Sequence, residues 1–221
     1  MGTVPVQSRP SRSGRGRRKT RTSGDDRERA ITQTAERLLE DRSLGAISVD
    51  DLARGAGISR PAFYFYFPSK DAVVLTLVDQ LVQEAADARD EVSERLSGDP
   101  VAAWRDSLMS FYRTFGSHRA VVRAATDLSA TNAEARALRC QIVEGWVAYV
   151  TEKIERERER GAAPADMPAR DLATALVQMN ERVLAAVFVG ETPAVDEERV
   201  IDVLNHVWLA AIYGTPGNVA P

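Results

Sequence analysis

The stretch from Arg60 to Pro68, RPAFYFYFP, most constrains what this chain can fold into. Its five consecutive aromatic residues alternate Phe and Tyr, which alone favours a β-strand. A strand needs a partner for its backbone N–H and C=O groups, and the other long segments carry Ala, Leu, Glu and Arg at helical spacing instead. The aromatic run is therefore predicted to be a short helix in an all-α protein. Ser59 would be its N-cap, Pro61 would lie in its first turn, and Pro68 would end it.

Composition is typical of a soluble globular protein. Of the 221 residues, 44% are apolar and 28% are charged, and we expect no apolar run long enough to span a membrane. The single cysteine, Cys140, excludes an internal disulfide framework and is expected to be a small packing residue. The basic N-terminus lacks the apolar stretch of a secretory signal. We therefore expect a cytoplasmic protein that has no membrane partner and needs no cofactor.

Charge is segregated along the sequence. The residues before Asp25 carry a charge of +7, and the remainder carries −10. We interpret residues 1–22 as a basic arm that is disordered when free, because Ser, Gly and Pro bury too little surface to fold. One explanation of the arm is a solvated tail. The other is an arm that follows DNA phosphates or enters a minor groove, with Arg17, Arg18 and Lys19 as contacts.

Two capping patterns frame a predicted helix-turn-helix. Residues Ser23–Asp26 resemble a capping box and predict the start of a first helix that ends near Arg42. Residues Ser48–Asp51 repeat the pattern and predict a short second helix closed by glycine. Together with the helix that follows Ser59, they predict a three-helix DNA-binding domain over residues 23–68.

The faces of the aromatic helix agree with that motif. A rotation of about 100° per residue places Phe63 and Phe67 on one side, and it places Phe65 nearly opposite them. We expect Phe63 and Phe67 to join the small core, because the second helix of such a motif packs on the first and presents its other side to the major groove. The residues predicted to face DNA are Arg60, Pro61, Ala62, Tyr64, Phe65 and Tyr66.

The segment Ile47–Val73, ISVDDLARGAGISRPAFYFYFPSKDAV, resembles the DNA-binding signature of the TetR family of one-component repressors. The match is specific, because it pairs the helix-turn-helix with two aromatics and with a Lys at the start of the next helix. Further segments, among them Thr114–His118 and Arg160–Pro164, resemble one type of repressor within that family. This resemblance extends from about residue 20 to residue 214.

The resemblance implies roles for individual residues. Lys70 and Tyr64 would contact phosphates, where a full charge or a hydroxyl combines with the N–H donors of a helix N-terminus. Ser48 and Ser59, at the starts of the second and third helices, would lie against the DNA backbone. Base readout would fall to Arg60 and to apolar contacts with thymine methyl groups, and DNA shape would supply further specificity.

Residues 69–215 are predicted to form a larger helical domain for ligand binding and dimerisation, which gives about nine helices in all. The predicted helices span residues 69–96, 101–116, 119–129, 132–160, 169–190 and 197–213. The last two have apolar faces. The resemblance implies that they form a four-helix bundle across a homodimer interface, and a twofold dimer suits a palindromic operator.

All three tryptophans lie in this second half, in a chain that is only 6% aromatic. One interpretation is an aromatic core. The other, implied by the resemblance, is a hydrophobic tunnel for a lipophilic small-molecule effector that Asn180 orients. The predicted lining residues are Trp104, Phe111, Phe115, Trp146, Tyr149, Met179, Asn180 and Trp208. The chain departs from the resembled repressors, which have aromatic or polar lining residues at the positions of Arg139, Val150, Val177 and Ala185.

Two other classes of protein remain as alternatives. An enzyme is not favoured, because the chain has no nucleophile elbow and no phosphate-binding glycine loop. His118 and His206 lack metal-ligand spacing, and each is interpreted as a surface or capping residue. A lipophilic-ligand carrier without DNA binding would keep the fold, but the basic arm and Lys70 argue against it. We expect a dimeric repressor released from operator double-stranded DNA by a lipophilic ligand, and the resemblance implies a neighbouring flavin monooxygenase gene.

Overall fold

The computed structural model describes residues 18–95 and 99–214, and every regular element within these ranges is helical. The described helices are α1 (Arg18–Asp41), α2 (Val49–Gly55), α3 (Arg60–Tyr66), α4 (Lys70–Arg95), α5 (Pro100–Ser117), α6 (Arg119–Thr131), α7 (Ala133–Glu159), α8 (Ala169–Val189) and α9 (Val200–Tyr213). A short 3₁₀ turn, Leu44–Ala46, joins α1 to α2. The prediction of an all-α fold of about nine helices is confirmed over the described residues.

Helix α1 begins earlier than the sequence predicted. It starts at Arg18, so residues 18–22 are helical, and Ser23 lies inside the helix instead of capping it. The prediction of a disordered segment was therefore wrong for residues 18–22, while residues 1–17 lie outside the described part of the chain. The reason is cooperativity: once the buried residues Ile31 and Leu39 fix the helix, each further residue adds a backbone hydrogen bond at little cost.

The predicted caps of α2 and α3 are confirmed. The Ser48 hydroxyl accepts a hydrogen bond from the Asp51 N–H at 3.1 Å, and the Asp51 carboxylate accepts one from the Ser48 N–H at 3.0 Å. The Ser59 hydroxyl accepts a hydrogen bond from the Ala62 N–H at 3.3 Å. Between the two helices, Gly57 adopts a φ of 67°, a conformation that suits a residue without Cβ. These contacts fix the angle between α2 and α3.

The small core of the helix-turn-helix continues into the second half of the chain. Ile31, Leu52 and Phe63 are fully buried in one cluster. The same cluster includes Val121 and Leu128 of α6. The predicted boundary between residues 68 and 69 is therefore crossed by one apolar core, which ties α1 and α4 to α6.

Two polar contacts strengthen this junction. Arg123 of α6 donates a hydrogen bond to the carbonyl oxygen of Leu39 near the end of α1, at 2.7 Å. His118, at the N-cap position of α6, is hydrogen-bonded through Nδ1 to Glu36 of α1, and its Nε2 lies 3.6 Å from Glu84 of α4. His118 was interpreted as a surface or capping residue; its half-buried ring instead links three helices, and it makes no side-chain cap.

The second core lies among α5, α7, α8 and α9. Helix α8 is long and apolar enough to cross a membrane by length and composition, so the expectation that no segment would be was wrong. Its side chains Leu172, Leu176, Leu184 and Phe188 are buried in this core. The burial identifies α8 as a core helix, for which an apolar composition is equally typical.

Two smaller expectations were wrong. Helix α9 begins at Val200 and not at residue 197, because the Asp196 carboxylate accepts a hydrogen bond from the Glu198 N–H at 2.9 Å and holds a turn there. Cys140 is exposed on α7 instead of packed. It lies in the first half of that helix, before Val147 and Val150 begin the buried stretch of α7 that faces the second core.

Candidate functional site

Helix α3 presents an aromatic surface to solvent. Phe63 and Phe67 are buried, as their spacing predicted. Phe65 is 85% exposed, and Tyr64 is 46% exposed beside it. An aromatic side chain with this exposure gains little stability from its position, so the folded monomer leaves it available for a partner.

The other residues predicted to face DNA divide into two groups. Pro61 is exposed and Ala62 is half-buried at the start of α3. Tyr66 is also half-buried, and its ring packs partly against the core of the helix-turn-helix. The reason is its position: it follows Phe63 by three residues, which turns it by only about 60° from the buried side. We therefore correct the assignment of Tyr66 to the outer face.

Arg60 is exposed at the start of α3 and has two partners. Its guanidinium forms an ion pair with Asp50 of α2 at 2.8 Å, and it lies 3.5 Å from the Tyr64 hydroxyl. The hydrogen bond that Arg60 donates to the Tyr64 hydroxyl and the charge of Asp50 raise the pKa of Arg60 above its usual value. The side chains of Arg60 and Asp50 are about half exposed, so the pair is open to competition by phosphate or a base.

Lys70, the first residue of α4, is turned toward the helix-turn-helix. Its ammonium group donates hydrogen bonds to the carbonyl oxygens of Leu44 at 2.7 Å and Ile47 at 2.9 Å. An ammonium group has three N–H donors, which leaves a third for a phosphate. The structure thus gives Lys70 a role that sequence reasoning missed, which is to hold α4 against the turn before α2.

The remaining predicted DNA contacts are less informative. Ser48 and Ser59 are exposed, and both hydroxyls cap their helices. Arg18 and Lys19 lie in the first turn of α1. Arg17 lies outside the described residues.

A cavity of about 860 Å³ lies within the second half of the chain. Helices α4 to α9 all contribute residues to its wall. The predicted residues that line it are Trp104, Phe111, Phe115, Trp146, Tyr149, Asn180 and Trp208. The four positions noted as departures, Arg139, Val150, Val177 and Ala185, also lie in the wall.

Met179 is the predicted residue that does not line the cavity. It is half-buried and packs against the second core. The structure thus places Met179 against the second core and outside the cavity wall.

Aromatic contacts organise the cavity wall. The rings of Phe111 and Phe115 are stacked with centroids 4.2 Å apart, and Phe111 also meets Trp146 edge-on at 5.4 Å. Trp104 and Trp208 lie 5.2 Å apart. This arrangement leaves flat apolar surfaces, which suit a lipophilic molecule.

Asn180 is positioned by a neighbour. Its side-chain oxygen accepts a hydrogen bond from the indole N–H of Trp208 at 3.0 Å. That contact fixes the amide so that its NH₂ group remains as a donor toward a ligand. The Asn180 side chain can therefore orient an acceptor atom of a bound molecule.

A series of hydrogen bonds lies beside the cavity wall at Trp104. Its indole N–H donates to the Tyr213 hydroxyl at 3.0 Å, which in turn donates to the buried carboxylate of Glu157 at 2.9 Å. Arg160 pairs with that carboxylate at 2.6 Å. Burial, together with the bond to Glu157, raises the pKa of Tyr213 to about 12, so its hydroxyl stays protonated at neutral pH. These hydrogen bonds satisfy the polar groups beside the aromatic part of the wall that Trp104 and Trp208 form.

Sequence reasoning missed the cavity residues of α4, among them Arg89. Its guanidinium lies 4.0 Å from the ring centroid of Tyr149 and 5.1 Å from that of Trp146. A signal was present, because the cavity residues of α4 recur at helical spacing. They are Leu75, Val78, Leu81, Val82, Ala85 and Arg89.

The cavity and the helix-turn-helix share side chains. Leu75 and Val78 of α4 line the cavity and also pack against the core of the helix-turn-helix. Val121 of α6 and Ala135 of α7 belong to both as well. A molecule in the cavity would therefore touch residues that position the DNA-facing surface.

Candidate metal ligands are not clustered in the part of the chain that the structure describes. Within residues 18–95 and 99–214, no group of three His, Cys, Asp or Glu side chains could hold a metal ion.

Comparison with known protein families gives two matches that together cover most of the chain. Residues 31–77 match the family described as bacterial regulatory proteins, tetR family. Residues 104–214 match the C-terminal domain of the transcriptional regulator EthR. The first match covers the helix-turn-helix, and the second covers most of the cavity wall.

Individual proteins give the same result. The chain is 55% identical over 201 residues to the HTH-type transcriptional regulator EthR of Mycobacterium tuberculosis, which covers 90% of this chain and 93% of that protein. It is 49% identical to EthR of Mycolicibacterium smegmatis, over 93% of this chain and 94% of that protein.

A solved structure shows the same fold at lower identity. Thermus thermophilus FadR, a TetR family transcriptional repressor in complex with lauroyl-CoA, has a TM-score of 0.62 and 20% identity. The similarity covers 88% of this chain and 97% of that chain. At this identity the comparison speaks for the fold alone.

Proposed function

The chain belongs to the TetR family of transcriptional regulators, in its EthR-like group, and we propose that it is a repressor that a lipophilic small molecule releases from operator DNA. It would bind the operator as a homodimer. It would act in the cytoplasm, without enzymatic activity and without a cofactor.

The observation that carries the proposal is the set of side chains common to the cavity and the helix-turn-helix core. Leu75 and Val78, in the first three turns of α4, contact both. Interiors are close-packed, so filling the cavity shifts its wall as a unit. A movement of α4 would carry Lys70 and the start of the DNA-binding surface with it.

The mechanism follows from dimer geometry. Two recognition helices read half-sites one helical turn apart, so a change in their separation takes them out of register with successive major grooves. A ligand drives that change only if it binds the non-operator conformation more tightly than the operator-bound one. The cavity, with its polar atoms near Asn180 and Arg89, offers the contacts for such a preference.

The surface of α9 supports a homodimer. Val203 and Val207 are 41% and 36% exposed, and four residues separate them, so they share one side of the helix. Met179 and Val183 of α8 are half-buried beside the second core. We propose that these apolar positions on α8 and α9 meet their copies across a twofold axis. Val207→Glu should shift the protein from dimer to monomer in analytical ultracentrifugation.

The regulated gene follows only from the resemblance described above. A neighbouring flavin monooxygenase gene is the candidate target. Deleting the repressor gene should raise the transcript of that neighbour, and an unchanged transcript would remove it as the target.

The first test is DNA binding by the full chain. The protein is titrated against its own upstream promoter fragment at two salt concentrations with excess nonspecific DNA. We expect saturable binding that the competitor does not abolish. Phe65→Ala should weaken that binding, whereas Met167→Ala removes another exposed apolar side chain, outside α3, and should leave it unchanged. Equal effects of the two variants would refute the recognition surface, and complete loss to competitor would favour a ligand carrier.

The second test concerns release. Lipophilic compounds are screened for their ability to displace the protein from the promoter fragment, and the active ones are repeated with Trp208→Ala. Loss of the indole removes both cavity surface and the partner of Asn180, so release should need more compound. Unchanged release by a correctly folded Trp208→Ala would place the effector site outside the cavity.

A further inference from the structure

The cavity carries more positive charge than a purely lipophilic ligand requires. Four arginines and two glutamates contribute to its wall. Arg139 is bonded through two nitrogens to Glu181 at 2.6 and 2.7 Å, and Arg182 is bonded in the same way to Glu191. These two arginines are therefore neutralised by carboxylates in the same wall. The third, Arg136, is exposed and donates hydrogen bonds to the carbonyl oxygens of Ser129 and Ala130.

Arg89 differs from them in its position. Its side chain is 20% exposed and stacks on Tyr149 and Trp146, whose rings also line the cavity. Its ion-pair partner is Asp90, the next residue along α4, whose side chain is 62% exposed. Asp90 does not line the cavity. The Arg89 guanidinium thus faces the cavity, whereas the Asp90 carboxylate that pairs with it is mostly exposed to solvent.

The guanidinium of Arg89 is held for binding. Stacking on two rings fixes its plane, and Asp90 engages Nε and Nη2 at 2.8 and 2.7 Å. A guanidinium has five N–H donors, so donors are left over after these contacts. A neutral molecule that filled the cavity would strip water from Arg89 without replacing the hydrogen bonds, which is unfavourable. An anion would replace them with charge-assisted hydrogen bonds.

The position of Arg89 divides the cavity into a charged part, suited to the head group of a ligand, and an apolar part, suited to its hydrocarbon chain. Trp146 lies seven residues after Arg139 on α7, so Arg89 is about 10 Å along that helix from the paired Arg139. The apolar wall near Trp104 and Trp208 offers room for a hydrocarbon chain. We propose that the effector is an amphiphile with one anionic head group, a carboxylate or a phosphate monoester, and that Arg89 binds that head group.

This inference rests on the proposed effector role of the cavity, yet its test needs no DNA. Binding of dodecanoate, dodecyl phosphate and dodecanol to the purified full chain is measured by titration calorimetry at pH 8, below the micelle concentrations. The three share one chain length and differ in head group. We expect both anions, or one of them, to bind at least about tenfold more tightly than dodecanol, as one charge-assisted hydrogen bond would give. The tighter anion identifies the head group.

A matched pair of variants assigns the effect to Arg89. Arg89→Leu should lower the affinity for the anion about tenfold and leave dodecanol binding equal or tighter. Arg170→Leu is the control, because it removes the same charge from an exposed pair with Glu144, outside the cavity. Arg89→Lys keeps the positive charge but loses the planar guanidinium, so it should give an intermediate affinity for the anion. This variant serves as the test if Arg89→Leu folds poorly.

Several results would overturn the inference. These are equal affinity for dodecanol and the anions, equal effects of Arg89→Leu and Arg170→Leu, or no binding of any of the three probes. The outcome is independent of the proposed function. If the anion binds through Arg89 but fails to displace the protein from its promoter, the head-group site stands and ligand-controlled repression fails.

Discussion

Lys70 offers the sharpest test of how the DNA-binding half is assembled, since it has a structural contact and a proposed DNA contact. Lys70→Met keeps most of the aliphatic stem and removes the ammonium group. Two hydrogen bonds from a charged donor, to Leu44 and Ile47, are lost. Such bonds contribute about 1.5–3 kcal/mol each. Because the site is only partly buried and water can replace the donor, we discount the sum to about 2–3 kcal/mol of unfolding free energy.

The expected loss is large enough to measure. For a chain of this length it corresponds to a fall in Tm of about 4–12 °C. Far-UV circular dichroism is the suitable probe in urea and thermal unfolding. Tryptophan fluorescence would report mainly on the second half, because Trp104, Trp146 and Trp208 all lie there. Arg105→Met is the control, since it removes an exposed charge paired with Asp202, far from the helix-turn-helix, and should cost less than about 1 kcal/mol.

DNA binding supplies the second half of the test. If the third N–H of Lys70 meets a phosphate, Lys70→Met should weaken binding to all sequences alike and lower the salt slope by about 0.9 for each lost contact. Weaker DNA binding with unchanged unfolding free energy would refute the carbonyl contacts. Lower stability with an unchanged salt slope, measured well below the unfolding temperature, would refute the phosphate contact.

Two further predictions concern the carboxylates of α2. Asp50→Asn should tighten binding to promoter and nonspecific fragments at low salt, because it removes a negative charge and frees Arg60. Arg60→Ala should relax specificity. Weaker DNA binding by Asp50→Asn in the same titration would mean that Asp50 orients Arg60 for base readout. Hydrogen bonds from Ser48, with a smaller effect of Arg42, lower the pKa of Asp51 to about 2, so its contribution to stability is present above pH of about 4 and is lost as pH falls toward 2. Urea unfolding of Asp51→Asn should show a deficit against wild type at pH 7 that narrows below pH 4, and a deficit independent of pH would contradict the lowered pKa.

Local signals explain why much of the fold could be predicted from the sequence. The Ser48 and Ser59 caps are recognisable from residues within one turn, and the structure contains both. The burial of Phe63 and Phe67, with Phe65 outside, follows from helical rotation alone. Each of these features depends on neighbours that are close in the sequence.

The features that escaped prediction depend on distant contacts. The ammonium group of Lys70 finds carbonyl oxygens more than twenty residues earlier, and no sequence pattern announces that pairing. Arg89 faces the cavity because α7 places Tyr149 and Trp146 beside it. The start of α1 at Arg18 was missed for a different reason, since Ser23–Asp26 carries a capping pattern that the longer helix overrides. Extending α1 toward its N-terminus competes with capping it at Ser23, and amino-acid composition alone does not show which of the two occurs.

The groups that we propose to contact DNA have one property in common that bears on selectivity. Arg60 is paired with Asp50, Lys70 with carbonyl oxygens, and the Ser48 hydroxyl with Asp51. DNA must therefore compete with an internal partner for Arg60 and for the Ser48 hydroxyl, whereas the third N–H of Lys70 is left for a phosphate. An exposed pair such as Arg60–Asp50 contributes only about 0–1 kcal/mol to stability, so a phosphate or a guanine edge can replace Asp50 as the partner of Arg60. Breaking the pair nevertheless lowers the binding free energy that each nonspecific contact supplies. Base contacts and DNA shape must then supply the additional binding free energy, so we expect tight binding only at sequences that offer both.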